Sequence, residues 1–117
     1  TLDTGGIPYT RAMGVIYREG LNTFYFSTNI STQKVGQIKG NKNGNLYFYD
    51  INKYKAVNLI GTVELIEDNE FKKYLWAAIT KIPVHPAGIK PEDYAIIKFT
   101  ANKARYYFNN VSYNFNI

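Results

Sequence analysis

The chain has 117 residues, no cysteine and a formal net charge of +5 at pH 7. This length predicts a single domain over residues 1–117, and the missing cysteine excludes disulfide and thiolate chemistry and favours a reducing, cytoplasmic location. No window approaches the roughly 18 uninterrupted apolar residues of a membrane span, and the positive charge favours anionic partners, although a surface rich in Lys and Asn accounts for that charge equally well.

Short β-rich runs separated by turn residues dominate the chain. The chain begins with TLDTGG, without Met, and this start reads as the end of a strand, so we expect a helix and part of a strand upstream. Residues 17–22 read as a loop. The central Gly61 of the longest run predicts a strand that bends, as barrel strands must. The predicted strands are residues 7–15, 23–28, 46–50, 56–66, 94–100 and 105–108.

Two helices interrupt these strands. The first is predicted over residues 31–39, with Val35 and Ile38 facing inward. The second is predicted over residues 68–79, and its apolar face is formed by Phe71, Leu75, Ala78 and Ile79. Many short strands with two peripheral helices predict a mainly β, antiparallel barrel of six or seven strands.

The two predicted helix starts differ in charge. A helix N-terminus carries partial positive charge, so acidic residues are favoured in its first turn. The second helix follows this rule with Glu67, Asp68 and Glu70, whereas the first begins with Ser31 as a candidate cap followed by Thr32, Gln33 and Lys34. Backbone N–H groups, hydroxyls and a Lys at a helix start form a plausible phosphate site. A capped surface helix with Lys34 in water is the alternative interpretation.

Arg11 lies within an otherwise apolar predicted strand. By alternation it shares one face with Tyr9, Met13 and Val15, and a buried, unpaired guanidinium there would cost considerable free energy. A bound phosphate would serve as its partner. Alternatively, one of three acids would form a structural ion pair with it, namely Glu19, Asp50 or Glu64.

The polar side chains of Ser27, Thr28 and Asn29 suit the remainder of such a ligand, because they can hydrogen-bond a polyol chain or a heteroaromatic edge. Eleven Tyr and seven Phe provide flat surfaces for a ring. The simplest ligand is therefore an aromatic ring that bears a phosphate.

Four blocks carry a resemblance to a known family: TLDTGGIPYTRAM, FYFSTNISTQKVGQI with NLYFYD, VNLIGTVELIEDNEFKKYLW, and DYAIIKFTANKARYY. In this order they resemble the FMN-binding split β-barrel of the pyridoxamine 5'-phosphate oxidase-like superfamily, in its general stress protein 26-like branch. The resemblance implies a split barrel, FMN as cofactor, and a homodimer with FMN at the interface. It also implies an oxidoreductase.

The resemblance implies a set of FMN contacts. Arg11 would reach the phosphate, and the backbone of Ala12, Met13 and Gly14 would meet the flavin ring. The family's Tyr/Thr-Thr-Asn block corresponds to Ser27, Thr28 and Asn29. Its Ser-Arg-Lys phosphate clamp corresponds to Thr32, Gln33 and Lys34, where Gln33 replaces an Arg and leaves more of the phosphate charge to Arg11 and Lys34.

Two departures argue against pyridoxamine phosphate oxidase activity. A substrate-binding Lys expected five residues after the Arg is Ile16 here, and the C-terminal Arg-x-His motif is absent from the printed sequence. A flavoprotein that acts on a different, unidentified substrate is the better expectation. Two alternatives remain open: a barrel that binds single-stranded nucleic acid through Lys and Tyr, and a split barrel that has lost its flavin.

His85 is the only histidine. One His without Cys or clustered carboxylates does not predict a metal site, and no orienting partner for a general base is evident. We therefore expect no metal, and the sequence identifies no catalytic residue.

Overall fold

The computed structural model describes residues 1–79 and 91–117, so His85 lies outside the described residues. The described chain forms six strands and two α-helices, with a short 3-10 helix at Pro91–Asp93. The elements are β1 Tyr17–Glu19, β2 Thr23–Asn29, α1 Gln33–Gly40, β3 Asn43–Asp50, β4 Lys55–Ile66, α2 Asn69–Ile79, β5 Tyr94–Phe108 and β6 Val111–Asn116. Every strand pairing is antiparallel. The mainly β, split-barrel prediction is therefore confirmed.

Strand β5 pairs with three other strands of the described chain, β2, β4 and β6. The strand order is β1-β2-β5-β4-β3, and β6 also pairs with β5. The first half of β5 pairs with β2 and its second half with β6, while β4 runs along its opposite edge. The sequence predicted two strands, 94–100 and 105–108, because the polar residues between them resemble a break, but the pairing with β4 continues across this stretch.

Strand β6 was not predicted, although Val111, Tyr113 and Phe115 alternate with polar residues as in a strand. All six of its residues are exposed. It follows β5 through a tight turn in which Asn109 and Asn110 adopt φ of 51° and 60°. Asn is among the residues that best tolerate this left-handed conformation, so the turn is compatible with the sequence.

Gly61 lies at an irregularity in the pairing of β4 with β5, and the bend predicted for β4 stays a prediction. The register between β4 and β5 shifts between Ile60 and Gly61. A Cβ at Gly61 would lie 1.9 Å from the carbonyl oxygen of Thr100, so only glycine permits this close approach of two backbones.

The predicted strand at residues 7–15 is wrong. Leu2 and Pro8 form an isolated bridge, and Ile16 N–H donates to the Tyr25 carbonyl, but residues 9–15 belong to no strand of the described chain. Tyr9 exchanges backbone hydrogen bonds with Thr1, and residues 10–15 follow without strand pairing. The predicted loop at 17–22 is also wrong in part, since β1 occupies its first half and pairs with β2.

Two apolar clusters lie on opposite faces of the sheet. One includes Phe24, Phe26 and Phe99 with Ile38 of α1. The other includes Tyr25 and Ile96 and is covered by Leu75 and Ile79 of α2. Ala78 was expected on the buried face of α2 but is exposed, because the buried stripe of this helix is narrow. Among the described residues, no helix is long and apolar enough to cross a membrane.

Candidate functional site

A cavity of about 730 Å³ lies between the sheet, α1 and the segment 9–15, which belongs to no strand. Its volume falls within the range of roughly 300–1,000 Å³ typical of small-molecule sites. Apolar side chains of four strands and of α1 form its walls: Phe26, Ile38, Leu46, Phe48, Val63, Ile97 and Phe99. Arg11 and Lys34 are the cations that line it. The cavity therefore combines an apolar interior with positive charge.

Arg11 is held by neutral groups. Its Nη1 donates to Thr1 Oγ1 at 2.8 Å and its Nη2 to Gln37 Oε1 at 3.3 Å. In the described parts of the chain, the ion pairs are Lys73–Glu70 and Lys98–Glu64, so no acid there neutralises Arg11. The structural ion pair considered from the sequence is therefore not formed with Glu19, Asp50 or Glu64.

Lys34 extends from the first turn of α1. Its Nζ donates to Thr28 Oγ1 at 3.0 Å, and Thr28 Oγ1 lies 3.4 Å from Thr32 Oγ1. Burial lowers the pKa of Lys34 from its ordinary value, and the positive charge of Arg11 lowers this pKa further. Two mutually repelling cations with neutral partners form an arrangement that a bound anion would stabilise.

The start of α1 differs from the prediction in one respect. Helix α1 begins at Gln33, with Thr32 as the N-cap residue, and its first turn contains no acid. Ser31 does not cap it. Instead, the Ser31 N–H and hydroxyl donate to the carboxylate of Asp93, at 3.2 and 3.0 Å. The nearest acid thus comes from a distant part of the sequence, and it holds the turn before the helix.

Only some of the residues expected to contact FMN line the cavity. Arg11, Ala12, Met13 and Lys34 line the cavity, whereas Gly14 is exposed and does not line it. The cavity lining does not include the remaining expected residues, which are Ser27, Thr28, Asn29, Thr32 and Gln33.

Among these residues, Thr28 and Thr32 are joined to the cavity through Lys34. Ser27 instead forms a 3.1 Å hydrogen bond with the hydroxyl of Tyr94 on the other side of β2. The buried Oδ1 of Asn29 has no hydrogen-bond partner, and Gln33 is exposed.

Three residues around the cavity were missed from the sequence. Gln37 is buried beside Arg11 and lies three residues after Lys34 on α1, but a neutral residue there is not unusual in sequence. Phe48 and Asn58 line the cavity from β3 and β4. No local motif identifies them, because the strand register brings them there.

The sequence profile of the family described as pyridoxamine 5'-phosphate oxidase matches residues 1–108. No curated protein matches the chain at a significant level. Among solved structures, the chain is similar to a Clostridium acetobutylicum protein related to general stress protein 26 of Bacillus subtilis and described as of the pyridoxinephosphate oxidase family. The identity is 36% over 100% of this chain and 82% of that one, with a TM-score of 0.82.

Two more distant structures share the fold. A pyridoxamine 5'-phosphate oxidase-related, FMN binding protein from Nostoc punctiforme is 13% identical over 100% of this chain and 84% of that one, with a TM-score of 0.66. A heme binding protein from Mycobacterium smegmatis is 15% identical over 99% of this chain and 50% of that one, with a TM-score of 0.72.

Proposed function

This chain belongs to the pyridoxamine 5'-phosphate oxidase family, and on that premise we propose that it is an FMN-binding flavoprotein and a flavin-dependent oxidoreductase of the cytoplasm. The observation that carries the proposal is the pair Arg11 and Lys34, two cations on one cavity with hydroxyl and amide partners only. A phosphate monoester supplies the negative charge that this pair lacks.

The rest of the cavity fits a flavin. Its apolar walls, including Phe26, Phe48 and Phe99, suit an aromatic ring system. The backbone of Ala12 and Met13 runs along the cavity without strand partners, so its N–H and C=O groups are free to meet the polar edge of the ring. In this arrangement Arg11 and Lys34 hold the phosphate. The apolar walls and the backbone of Ala12 and Met13 position the ring.

Bound FMN would supply hydride or electron transfer, and the protein would orient it and exclude water. Pyridoxamine phosphate oxidation is not proposed. Ile16 occupies the position of the family's substrate-binding Lys, and its side chain packs against the apolar cluster under α2, away from the cavity. This chain therefore lacks an amine at that position, and we propose a different substrate.

We propose that the active form is a homodimer. Strands β3 and β6 expose large aromatic side chains in the single chain, and by alternation these lie on both faces of the sheet: Tyr47, Phe48, Tyr49, Tyr113 and Phe115. The sequence run LYFYD had predicted either burial or an interface, and its aromatic residues are exposed. Exposed aromatic surface of this extent is typical of protein–protein contacts, and a second copy is the partner that the family implies.

A nucleic-acid-binding barrel is the second candidate, and one observation favours it. Lys103, Arg105 and Phe115 all line one groove of about 400 Å³. Cations next to an exposed aromatic ring are typical of single-strand binding surfaces.

The test is the absorbance spectrum of the purified protein. A flavin spectrum, with FMN and not FAD released by heat, would support the proposal. A Soret band would indicate heme, as in the Mycobacterium smegmatis neighbour. A colourless protein that takes up no added FMN, but binds oligonucleotides with a steep salt dependence, would support the second candidate.

A further inference from the structure

Gln37 is a buried amide with an unusual position. It lies on α1 one turn after Lys34, and only 7% of its surface is exposed. Its Oε1 accepts hydrogen bonds from Thr1 Oγ1 at 2.6 Å and from Arg11 Nη2 at 3.3 Å. Its Nε2 is buried and has no hydrogen-bond partner.

The contact with Arg11 determines which end of the amide is the oxygen. A guanidinium can only donate, so the acceptor facing it must be Oε1, and the buried atom without a partner must be Nε2. Leaving a buried donor unpaired costs free energy. A carboxylate of the same size at this position would form an ion pair with Arg11, while its second oxygen would be a buried acceptor without a donor. In the protein without ligand, glutamate at position 37 would therefore neutralise Arg11.

An amide at this position has one consequence that a carboxylate would not have. Arg11 is oriented toward the cavity, yet it keeps its full positive charge, because both of its partners are neutral. We propose that Gln37 is a positioning residue, which fixes the direction of the Arg11 guanidinium without neutralising it and so reserves its charge for the phosphate of the ligand. This inference rests on the proposed phosphate site.

The test compares Gln37→Glu with the wild-type protein, using FMN, riboflavin and inorganic pyrophosphate as probes. The substitution keeps the acceptor and the shape of the side chain but adds a negative charge beside Arg11. Asn69→Asp is the matched control, because it makes the same amide-to-carboxylate change at an exposed residue of α2, on the other face of the sheet.

We expect Gln37→Glu to remain folded, to bind FMN at least about tenfold more weakly, and to bind riboflavin, which has no phosphate, as the wild type does. The control keeps its FMN affinity. Unchanged FMN affinity in a folded Gln37→Glu protein would overturn the inference. An equal loss of FMN and riboflavin affinity would also overturn it, because Gln37 would then act only on the general structure of the site.

Pyrophosphate separates this inference from the proposed function. It probes the charge of Arg11 without a flavin, through the rise in Tm that it causes. If the wild type binds no flavin but pyrophosphate stabilises it and not Gln37→Glu, the proposed function fails and the role of Gln37 stands. If the wild type binds FMN and Gln37→Glu binds it equally well, the proposed function stands and the role of Gln37 fails. A wild type that responds to neither FMN nor pyrophosphate would refute both.

Discussion

The Nζ of Lys34 donates a hydrogen bond to Thr28 Oγ1 at 3.0 Å, and this contact joins the first turn of α1 to the last residues of β2. Thr28 is buried and Lys34 lines the cavity, so the contact connects the core of the sheet to the candidate phosphate site. Because the partner is a hydroxyl, the ammonium keeps its charge. At the junction of β2 and α1, the Lys34 ammonium is therefore hydrogen-bonded but not neutralised.

The stability of the ligand-free protein should depend on pH through Lys34. Burial and the charge of Arg11 lower its pKa below the ordinary 10.5, so in the window just below pH 10.5 the unfolded chain holds more protons than the folded one. The free energy of unfolding should then rise with pH in that window, relative to a Lys34→Met variant. Urea unfolding of both proteins at several pH values measures this difference.

As a control, the same urea unfolding is measured in the presence of saturating FMN. A bound phosphate favours the charged ammonium and raises the pKa of Lys34, so the pH-dependent gain should disappear. A gain that is the same with and without FMN would contradict the assignment of Lys34 to the phosphate site.

Gln33→Arg should strengthen FMN binding. Gln33 is exposed at the first position of α1, next to Lys34, and stands where the family has an Arg. A guanidinium there adds one charge-assisted contact, which we expect to tighten FMN binding about tenfold, or ~1.4 kcal/mol. Gly40→Arg adds the same charge at the other end of α1, in open space, and should have little effect. Equal gains in both variants, measured by fluorescence titration, would indicate a general charge effect and not a clamp.

Gly61→Ala should destabilise the barrel strongly. The added Cβ would lie 1.9 Å from the Thr100 carbonyl oxygen, and backbone cannot move away without breaking the β4–β5 pairing. We expect a loss above about 3 kcal/mol in the free energy of unfolding, or no folded protein. Gly36→Ala, inside α1 with no atom within 4 Å, should instead be neutral or stabilising by about 0.5–1 kcal/mol. Comparable losses in both variants would refute the close approach at Gly61.

Phe115→Lys should weaken the proposed homodimer. Phe115 is 54% exposed on β6, so an added cation would replace apolar contact area and bring an unpaired charge into the interface. We expect the dimer dissociation constant to rise about thirtyfold or more, or ~2 kcal/mol. Leu21→Lys removes an apolar residue that is 80% exposed in the turn between β1 and β2, and it should leave the dimer intact. Sedimentation equilibrium measures the dimer dissociation constant of each variant. An unchanged dissociation constant in Phe115→Lys would place the interface elsewhere.

The sequence predicted those parts of the fold that have a local physical cause. Strand β2 was predicted from the alternation of its side chains, and the first turn of α1 was recognised as unusual because it lacks the acids that the helix dipole favours. Residues 7–15 have the composition of a strand, but strand formation needs a neighbour, and composition does not show whether one is present. Likewise, Ser31 was predicted as the helix cap, but it is hydrogen-bonded to Asp93 instead. The two residues are 62 positions apart, so no local sequence pattern predicts this contact.

In the candidate site, too, the residues that are unusual in their local sequence were predicted, and those that depend on distant residues were missed. Arg11 and Lys34 were found because a charge on an apolar face and a Lys at a helix start are both electrostatically unusual. Gln37 was missed because a neutral residue on an amphipathic helix is not unusual in sequence, and its role depends on the position of Arg11. Ser27 alternates with Thr28 along β2, and its hydroxyl is hydrogen-bonded to Tyr94 on the other side of the strand.

The most direct measurement is the affinity of the double variant Arg11→Ala/Lys34→Ala for FMN and for riboflavin, by calorimetric titration of the ligand-free protein. Each lost charge-assisted contact is worth roughly 1.5–3 kcal/mol. FMN affinity should therefore fall by at least about 100-fold, while riboflavin affinity stays within about threefold because these side chains contact the phosphate alone. Unchanged FMN affinity in a folded double variant would contradict the account, and so would an equal loss for both ligands.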